Sequence, residues 1–290
     1  MAVRFILAFL AFVFVLPQAS QVIAKPKRII SLDYCADQFV LGLANRDQIV
    51  GVSVEATDSH SYYRDRAVGI KQVRASSDLI LALKPDLVIR TWAGGPHLSV
   101  LLDRLKIPVL NINYVEGLKA SDGSEAIMQA SFLKIKRVAQ AIGQARRGEI
   151  IIEDLQARYT ALKSLPPLEQ QAIYLTPGAY STGAGTSMDS LINLAGLQNY
   201  MSNLGYKGWA PIPLEHLVSK KPDLFITGFY DSKSATQHHW GVHNHKFARD
   251  MLASTRRIDV PGSYLACDGL FVVDAAETIR EQFERKSEAQ

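Results

Sequence analysis

The sequence predicts an α/β protein of two similar lobes with central parallel sheets, joined by one long rigid helix. Three observations carry this. Over residues 144–165, Ala145, Ile151, Ile152, Leu155, Tyr159 and Leu162 recur at helical spacing, and Arg146, Arg147, Glu149, Glu153, Asp154, Arg158 and Lys163 fill the other faces. Pro166-Pro167 then stops the helix, because proline lacks the amide donor and crowds the preceding turn. At 1.5 Å per residue such a helix spans roughly 30 Å, the width of a small domain, so it can act as a stiff spacer. The second observation is a repeat. An acid, a short amphipathic helix, Lys-Pro-Asp and an apolar strand occur at 78–89 and again at 215–226. The third is the alternation of short strands and helices on both sides of the long helix, the pattern of parallel sheets covered on both faces.

Size allows two lobes of ordinary dimensions. The net charge of +4 is small for 290 residues. It argues against a nucleic-acid partner, which would require clustered Lys and Arg. Residues 1–24 read as a signal peptide: Arg4, an apolar run over 5–16, then Val22-Ile23-Ala24 as a small-residue cleavage site. The run, about 12 residues, is short for a bilayer span. No cysteine lies near the cleavage point, which argues against a lipid anchor. Cys35 and Cys267 are the only cysteines. In an oxidising compartment they could pair; two half-buried thiols are the equal alternative, and a metal-ligand role is a third.

In order, 25–120 is expected as the N-terminal lobe. Its strands fall at 28–32, 49–53, 86–89 and 108–113, with Asp33 or Asp37 capping the helix after the first. Residues 55–66 read as a polar, aromatic loop. Ser77-Asp78 opens a short helix, and 97–105 forms another. Residues 121–167 form a helical linker, with a helix at 125–142, a break at Gly143 and then the long helix. The C-terminal lobe, 168–290, opens with a strand at 172–175 and a glycine-rich turn at 176–186. A helix at 187–195 ends on Gly196. A loop at 207–211 precedes the Glu215 helix, the 223–227 strand and a polar loop at 228–245. A helix at 247–253, a strand at 257–260 and a closing helix at 274–285 complete the chain.

Ligands of open parallel sheets bind outside the carboxyl ends of the strands. The segments leaving those ends carry Tyr34, Tyr62, Tyr63, Trp92, Tyr180, Trp209, Tyr230 and Trp240, among them all three tryptophans. Two such rims facing each other would hold a large, flat, partly apolar ligand. The loop at 238–245 holds His238, His239, His243 and His245, four of seven histidines. Imidazole is a common metal ligand, but a solvated rim loop, axial ligation of a macrocycle's metal and a free-metal site all remain open. No nucleophile elbow, phosphate loop or full dinucleotide fingerprint is present. Asp78 and Glu215 occupy equivalent places in the repeat. Each is either a dipole-favoured helix start or one of two acids offered to basic residues of a two-fold partner.

These marks resemble the periplasmic substrate-binding proteins of ABC importers for cobalamin, ferric siderophores and haem. The resemblance rests on Arg28-Ile29-Ile30-Ser31-Leu32, Ile49-Val50-Gly51-Val52-Ser53, both Lys-Pro-Asp repeats, the long helix, and the stretch from Gly185 through Gly196 to Asn199. It implies two lobes on a rigid helix, a cleft for a metal chelate and little hinge motion. It also implies a monomer that docks on a permease dimer through Asp78 and Glu215. The cobalamin-binding members are most similar, through Leu87-Val88-Ile89-Arg90-Thr91-Trp92-Ala93-Gly94-Gly95 and Trp209-Ala210-Pro211. The Asp33-Tyr34-Cys35-Ala36-Asp37 turn and the histidine loop depart from them. The expectation is therefore a periplasmic protein, not an enzyme, with no resident cofactor, that binds a Co- or Fe-containing chelate. Tyr34, Tyr63, Trp92, Tyr180, Trp209, Tyr230, His239, Trp240 and His243 would be its ligand-binding residues. A chelatase-type enzyme is the alternative from another class.

Overall fold

In the first lobe, β1 (Ile29–Ser31), β2 (Ile49–Ser53), β3 (Gln72–Val73), β4 (Leu87–Arg90) and β5 (Val109–Asn111) form one parallel sheet in the order β3-β2-β1-β4-β5. The protein is described by a computed structural model covering residues 25–113, 124–212, 214–229, 246–267 and 269–288. Ile29, Ile30, Val88 and Ile89 are fully buried, as strands covered on both faces require. The crossovers carry α1 (Tyr34–Leu43), α2 (Arg64–Ala67), α3 (Ser77–Ala82) and α4 (Gly95–Arg104).

The second sheet consists of β6 (Gln171–Leu175), β8 (Gln198–Asn199), β10 (Leu224–Thr227) and β11 (Arg256–Asp259), in the order β11-β10-β6-β8 and again parallel. Read from the other edge, β8-β6-β10-β11 repeats β2-β1-β4-β5. The duplication seen in the sequence is thus a duplication of topology. The Lys-Pro-Asp repeat has a matching local cause. The Asp86 carboxylate accepts the N–H groups of Lys27 (2.8 Å) and Arg28 (2.9 Å), and its own N–H donates to the Arg28 carbonyl. Asp223 does the same to Gln171, accepting its N–H at 2.6 Å and donating back to its carbonyl. In each lobe this aspartate pins the start of the central strand beside the strand it introduces.

Two regions expected as loops are ordered differently. β7 (Tyr180–Thr182) and β9 (Trp209–Pro211) pair antiparallel, with Tyr180 opposite Pro211 and Thr182 opposite Trp209. Trp209-Ala210-Pro211 reads as a loop because it contains proline and no period-two apolar pattern; its pairing comes from a partner distant in sequence. The turn before α7 (Ser187–Leu194) depends on glycine: a Cβ on Gly183 would lie 2.2 Å from the Tyr206 carbonyl oxygen.

Between the lobes lie α5 (Ser124–Ala141) and α6 (Ala145–Ser164), broken at Gly143, whose φ is +69°. The long helix is not a free-standing rod. Leu155 and Tyr159 are buried, and a single apolar cluster runs from β1, α1 and α5 through α6 into α7 and α12 (Val272–Glu288). Side chains rivet α6 at both ends. Arg147 donates to the carbonyls of Leu43 (2.7 Å) and Ala44 (3.1 Å), which are left open at the end of α1. Arg158 binds Glu277 through two nitrogens and Asp274 at 3.1 Å, both on α12. Such fork-to-carboxylate pairs are both strong and directional.

Cys35 and Cys267 form a disulfide, with Cα atoms 5.6 Å apart. It joins the first turn of α1 to the segment just after α11 (Gly262–Leu265), so it crosses from one lobe to the other. This decides between the alternatives left open by the sequence.

Candidate functional site

The site is built where β1 and β4 of one lobe end opposite β7 and β9 of the other. Asp33 follows β1 and caps α1, accepting the Ala36 N–H at 3.0 Å. The same buried carboxylate gathers the loop after β4. It accepts N–H groups from Thr91 (2.8 Å), Trp92 (3.2 Å) and Ala93 (3.3 Å), and the Thr91 hydroxyl. One side chain therefore sets both Tyr34, the first residue of α1, and Trp92. The two rings meet edge-on with centroids 5.1 Å apart, and His60 touches Tyr34 from another side at 4.9 Å. Burial, and then the charges of Glu55 and Asp33, push the Tyr34 phenol up, so it keeps its proton as a donor.

Across from Tyr34, Trp209 stands on β9 and meets Tyr174 of β6 edge-on at 6.3 Å. Between the two walls lies a cavity of about 230 Å³, lined by Tyr34 from the first lobe and by Tyr174, Thr182, Met188, Trp209 and Tyr264 among others from the second. Cys267 also lines it, so the disulfide forms part of the cavity wall. Trp92 is 50% exposed, Tyr180 49% and Trp209 62%. For rings this large, such exposure at a cavity rim marks surface available to a ligand.

A model of the family described as periplasmic binding protein matches residues 29–238. The chain belongs to this family. A similar curated relative, an uncharacterized ABC transporter substrate-binding lipoprotein of Bacillus subtilis, is 24% identical over 214 residues, 70% of this chain. This chain covers 64% of that relative, less than two thirds of its length. A vitamin B12-binding protein of Pectobacterium atrosepticum is 26% identical over 229 residues, 75% of this chain and 77% of the relative. Among solved structures, a periplasmic heme-binding protein of Vibrio cholerae superposes with a TM-score of 0.69 at 20% identity, over 88% of this chain and 98% of that one, a likeness of fold.

The residues singled out from the sequence divide into groups. Tyr34 and Trp209 line the cavity; Trp92 leans on Tyr34 outside it; Tyr180 lies on β7 beside β9. Tyr63 is placed elsewhere: its ring packs edge-on to Phe271 at 6.4 Å, with the Arg66 guanidinium over its face, in the seam between the lobes. Tyr230, His238, His239, Trp240, His243 and His245 lie outside the described residues. Asp78 and Glu215 are exposed in the first turns of α3 and α9 (Leu214–Ser219), matching positions of the two lobes. Sequence reasoning missed Tyr264, Phe229, Thr182 and Met188, which also line the cavity. Thr182 lies in the glycine-rich turn and Met188 in the helix it leads into, so that turn was the available signal; nothing local marked Tyr264, which arrives through α11.

Proposed function

We propose that this protein is exported to the periplasm, captures a metal chelate between its lobes and delivers it to an ABC permease dimer, and that the chelate is cobalamin or a related corrinoid. The observation carrying this reading is the pair of exposed indoles, Trp92 and Trp209, flanking a cavity walled by Tyr34 and Tyr174. Flat, partly apolar rings rest well on such surfaces. The cavity, at about 230 Å³, falls below the usual range of roughly 300–1,000 Å³ for pockets that enclose their ligands. A corrinoid would therefore insert an edge and its side groups while its faces lie against the rim. The vitamin B12-binding relative supports the corrinoid over other chelates. The exposed acids Asp78 and Glu215, one per lobe at matching positions, would meet basic residues of the two permease subunits.

The deciding experiment is a tryptophan-fluorescence titration of the mature protein with cyanocobalamin, haem and a ferric hydroxamate. Quenching that saturates with cyanocobalamin is expected; a response to haem or the hydroxamate alone would replace the corrinoid. Changing Asp78→Lys together with Glu215→Lys should abolish uptake by whole cells and leave the titration unchanged. Loss of binding as well would remove these acids from the docking role.

A further inference from the structure

Trp92 is half exposed at the cavity rim, yet the backbone that carries it is held by charge on both sides. The Asp33 carboxylate accepts the Trp92 N–H (3.2 Å) and the Ala93 N–H (3.3 Å). Arg90, the last residue of β4, donates from one terminal nitrogen to the Trp92 carbonyl at 3.3 Å. The peptide group between Trp92 and Ala93 is therefore gripped at both ends, its N–H by an anion and its C=O by a cation. In a trans peptide these two groups point in opposite directions, so the contacts fix the plane. Hydrogen bonds with one ionised partner are roughly twice as strong as neutral ones. The other terminal nitrogen of Arg90 reaches the start of α4, donating to the Gly95 carbonyl (3.2 Å) and the Ser99 hydroxyl (2.8 Å). Nε of Arg90 is buried with no partner among the described residues. Proteins break such local rules mostly at functional sites.

We infer that Arg90 is a positioning residue for ligand binding: with Asp33 it sets the Trp92 indole at the rim before any ligand arrives. Both peptide planes flanking the Trp92 Cα are held, so the direction of its Cα–Cβ bond is fixed. The Tyr34 ring then packs edge-on against the indole at 5.1 Å. A ring that is exposed but already ordered loses less freedom on binding, and that saving appears as affinity. A guanidinium suits the task because one planar fork reaches three acceptors at once, whereas an ammonium offers a single nitrogen. The turn needs such a clamp. Gly94 and Gly95 follow Trp92 at positive φ, +91° and +53°, and glycine leaves a backbone free to take other conformations. The inference rests on the reading of Trp92 as part of the wall that meets the chelate.

Two measurements test this. The first needs no ligand. Trp209→Phe with Trp240→Phe leaves Trp92 as the one tryptophan of the chain, and its time-resolved fluorescence anisotropy should decay with the tumbling of the whole protein. Adding Arg90→Met, which keeps the length and removes every donor, should introduce a fast decay on the nanosecond scale of side-chain and loop motion. An unchanged decay overturns the clamp. The second is a double-mutant cycle on cyanocobalamin affinity, read by equilibrium dialysis. Arg90→Met should weaken binding about two- to tenfold, the cost of ordering one freed side chain. Trp92→Ala should weaken it further, and the double variant should bind like Trp92→Ala alone, because Arg90 acts only through that ring. Additive losses overturn the inference, as does a Trp92→Ala protein that binds like the parent. If Arg90→Met does not fold, Arg90→Lys, which keeps the charge and loses the fork, takes its place in both measurements. A parent protein that does not bind cyanocobalamin ends the corrinoid reading; the cycle then runs with whichever of haem or the ferric hydroxamate binds, and the anisotropy decides the clamp in either case.

Discussion

Asp37 shows how a single buried acid can carry a pH dependence. It lies one turn into α1, fully buried, accepting from the Ser31 hydroxyl, the Ser53 N–H (3.0 Å) and the Ser53 hydroxyl (2.6 Å). Burial pushes its carboxyl up to about 7 against those hydrogen bonds, which favour the charged form; neighbouring Asp33 adds to the rise. A folded-state value above the unfolded one means that folding favours the protonated acid. Its contribution to stability is complete below about pH 4 and is lost as the pH rises through about 7. The full swing is at most about 4 kcal/mol. Asp37→Asn mimics the protonated form and should flatten the stability profile between pH 4 and 8 in urea titrations; an unchanged slope would show that Asp37 titrates elsewhere. Asp33, four residues earlier, is ringed by donors from Thr91, Trp92, Ala93 and Ala36. The Asp33-Tyr34-Cys35-Ala36-Asp37 turn was visible in the sequence as an unusual segment. That one of its acids sets the Trp92 loop was not, because the donors lie in a loop 58 to 60 positions away.

Among the elements, α6 was the most legible, since its apolar spacing and its Pro166-Pro167 stop are both local signals. What it packs against was not. A Cβ on Gly148 would lie 2.4 Å from the Ala139 Cβ of α5, so the two helices touch nearly backbone to backbone there. Alanine at position 148 would improve helix propensity by about 1 kcal/mol. The forced separation of the helices costs about 1–3 kcal/mol, so the clash should win. Gly148→Ala is expected to lower the urea midpoint; a more stable variant would mean that the contact gives way freely. The β7–β9 ribbon is the opposite case. Its strands are three residues each and separated by two helices, α7 and α8 (Tyr200–Asn203), and by β8, so no short window of the sequence contains the pairing that makes them strands.

At the level of the whole molecule, the two sheets share a strand order, and the expectation of separate modules held apart by a rod needs correction. One apolar cluster spans both lobes, and the Cys35–Cys267 disulfide closes the seam at the cavity wall. The bridge joins positions 232 residues apart. Cross-links over long loops restrict the unfolded chain most and are worth about 2–5 kcal/mol. Cys35→Ser with Cys267→Ser should therefore lower the unfolding free energy by that amount, read by chemical denaturation. No change would mean that the lobes are held by the shared core alone. With the bridge intact, the lobes cannot part at the stretch of cavity wall that it forms.

The sequence alone determined the α/β class, the two-fold repeat, the long helix and the aromatic character of the strand ends, because periodicity, proline stops and the Lys-Pro-Asp motif act over a few residues. Only the tertiary structure decided which rings share a cavity, that Tyr63 packs in the seam instead, and that the cysteines meet. Those outcomes depend on contacts between segments far apart in the chain. Burial and hydrogen bonding settle such contacts when the lobes close on one another, and no local pattern encodes them.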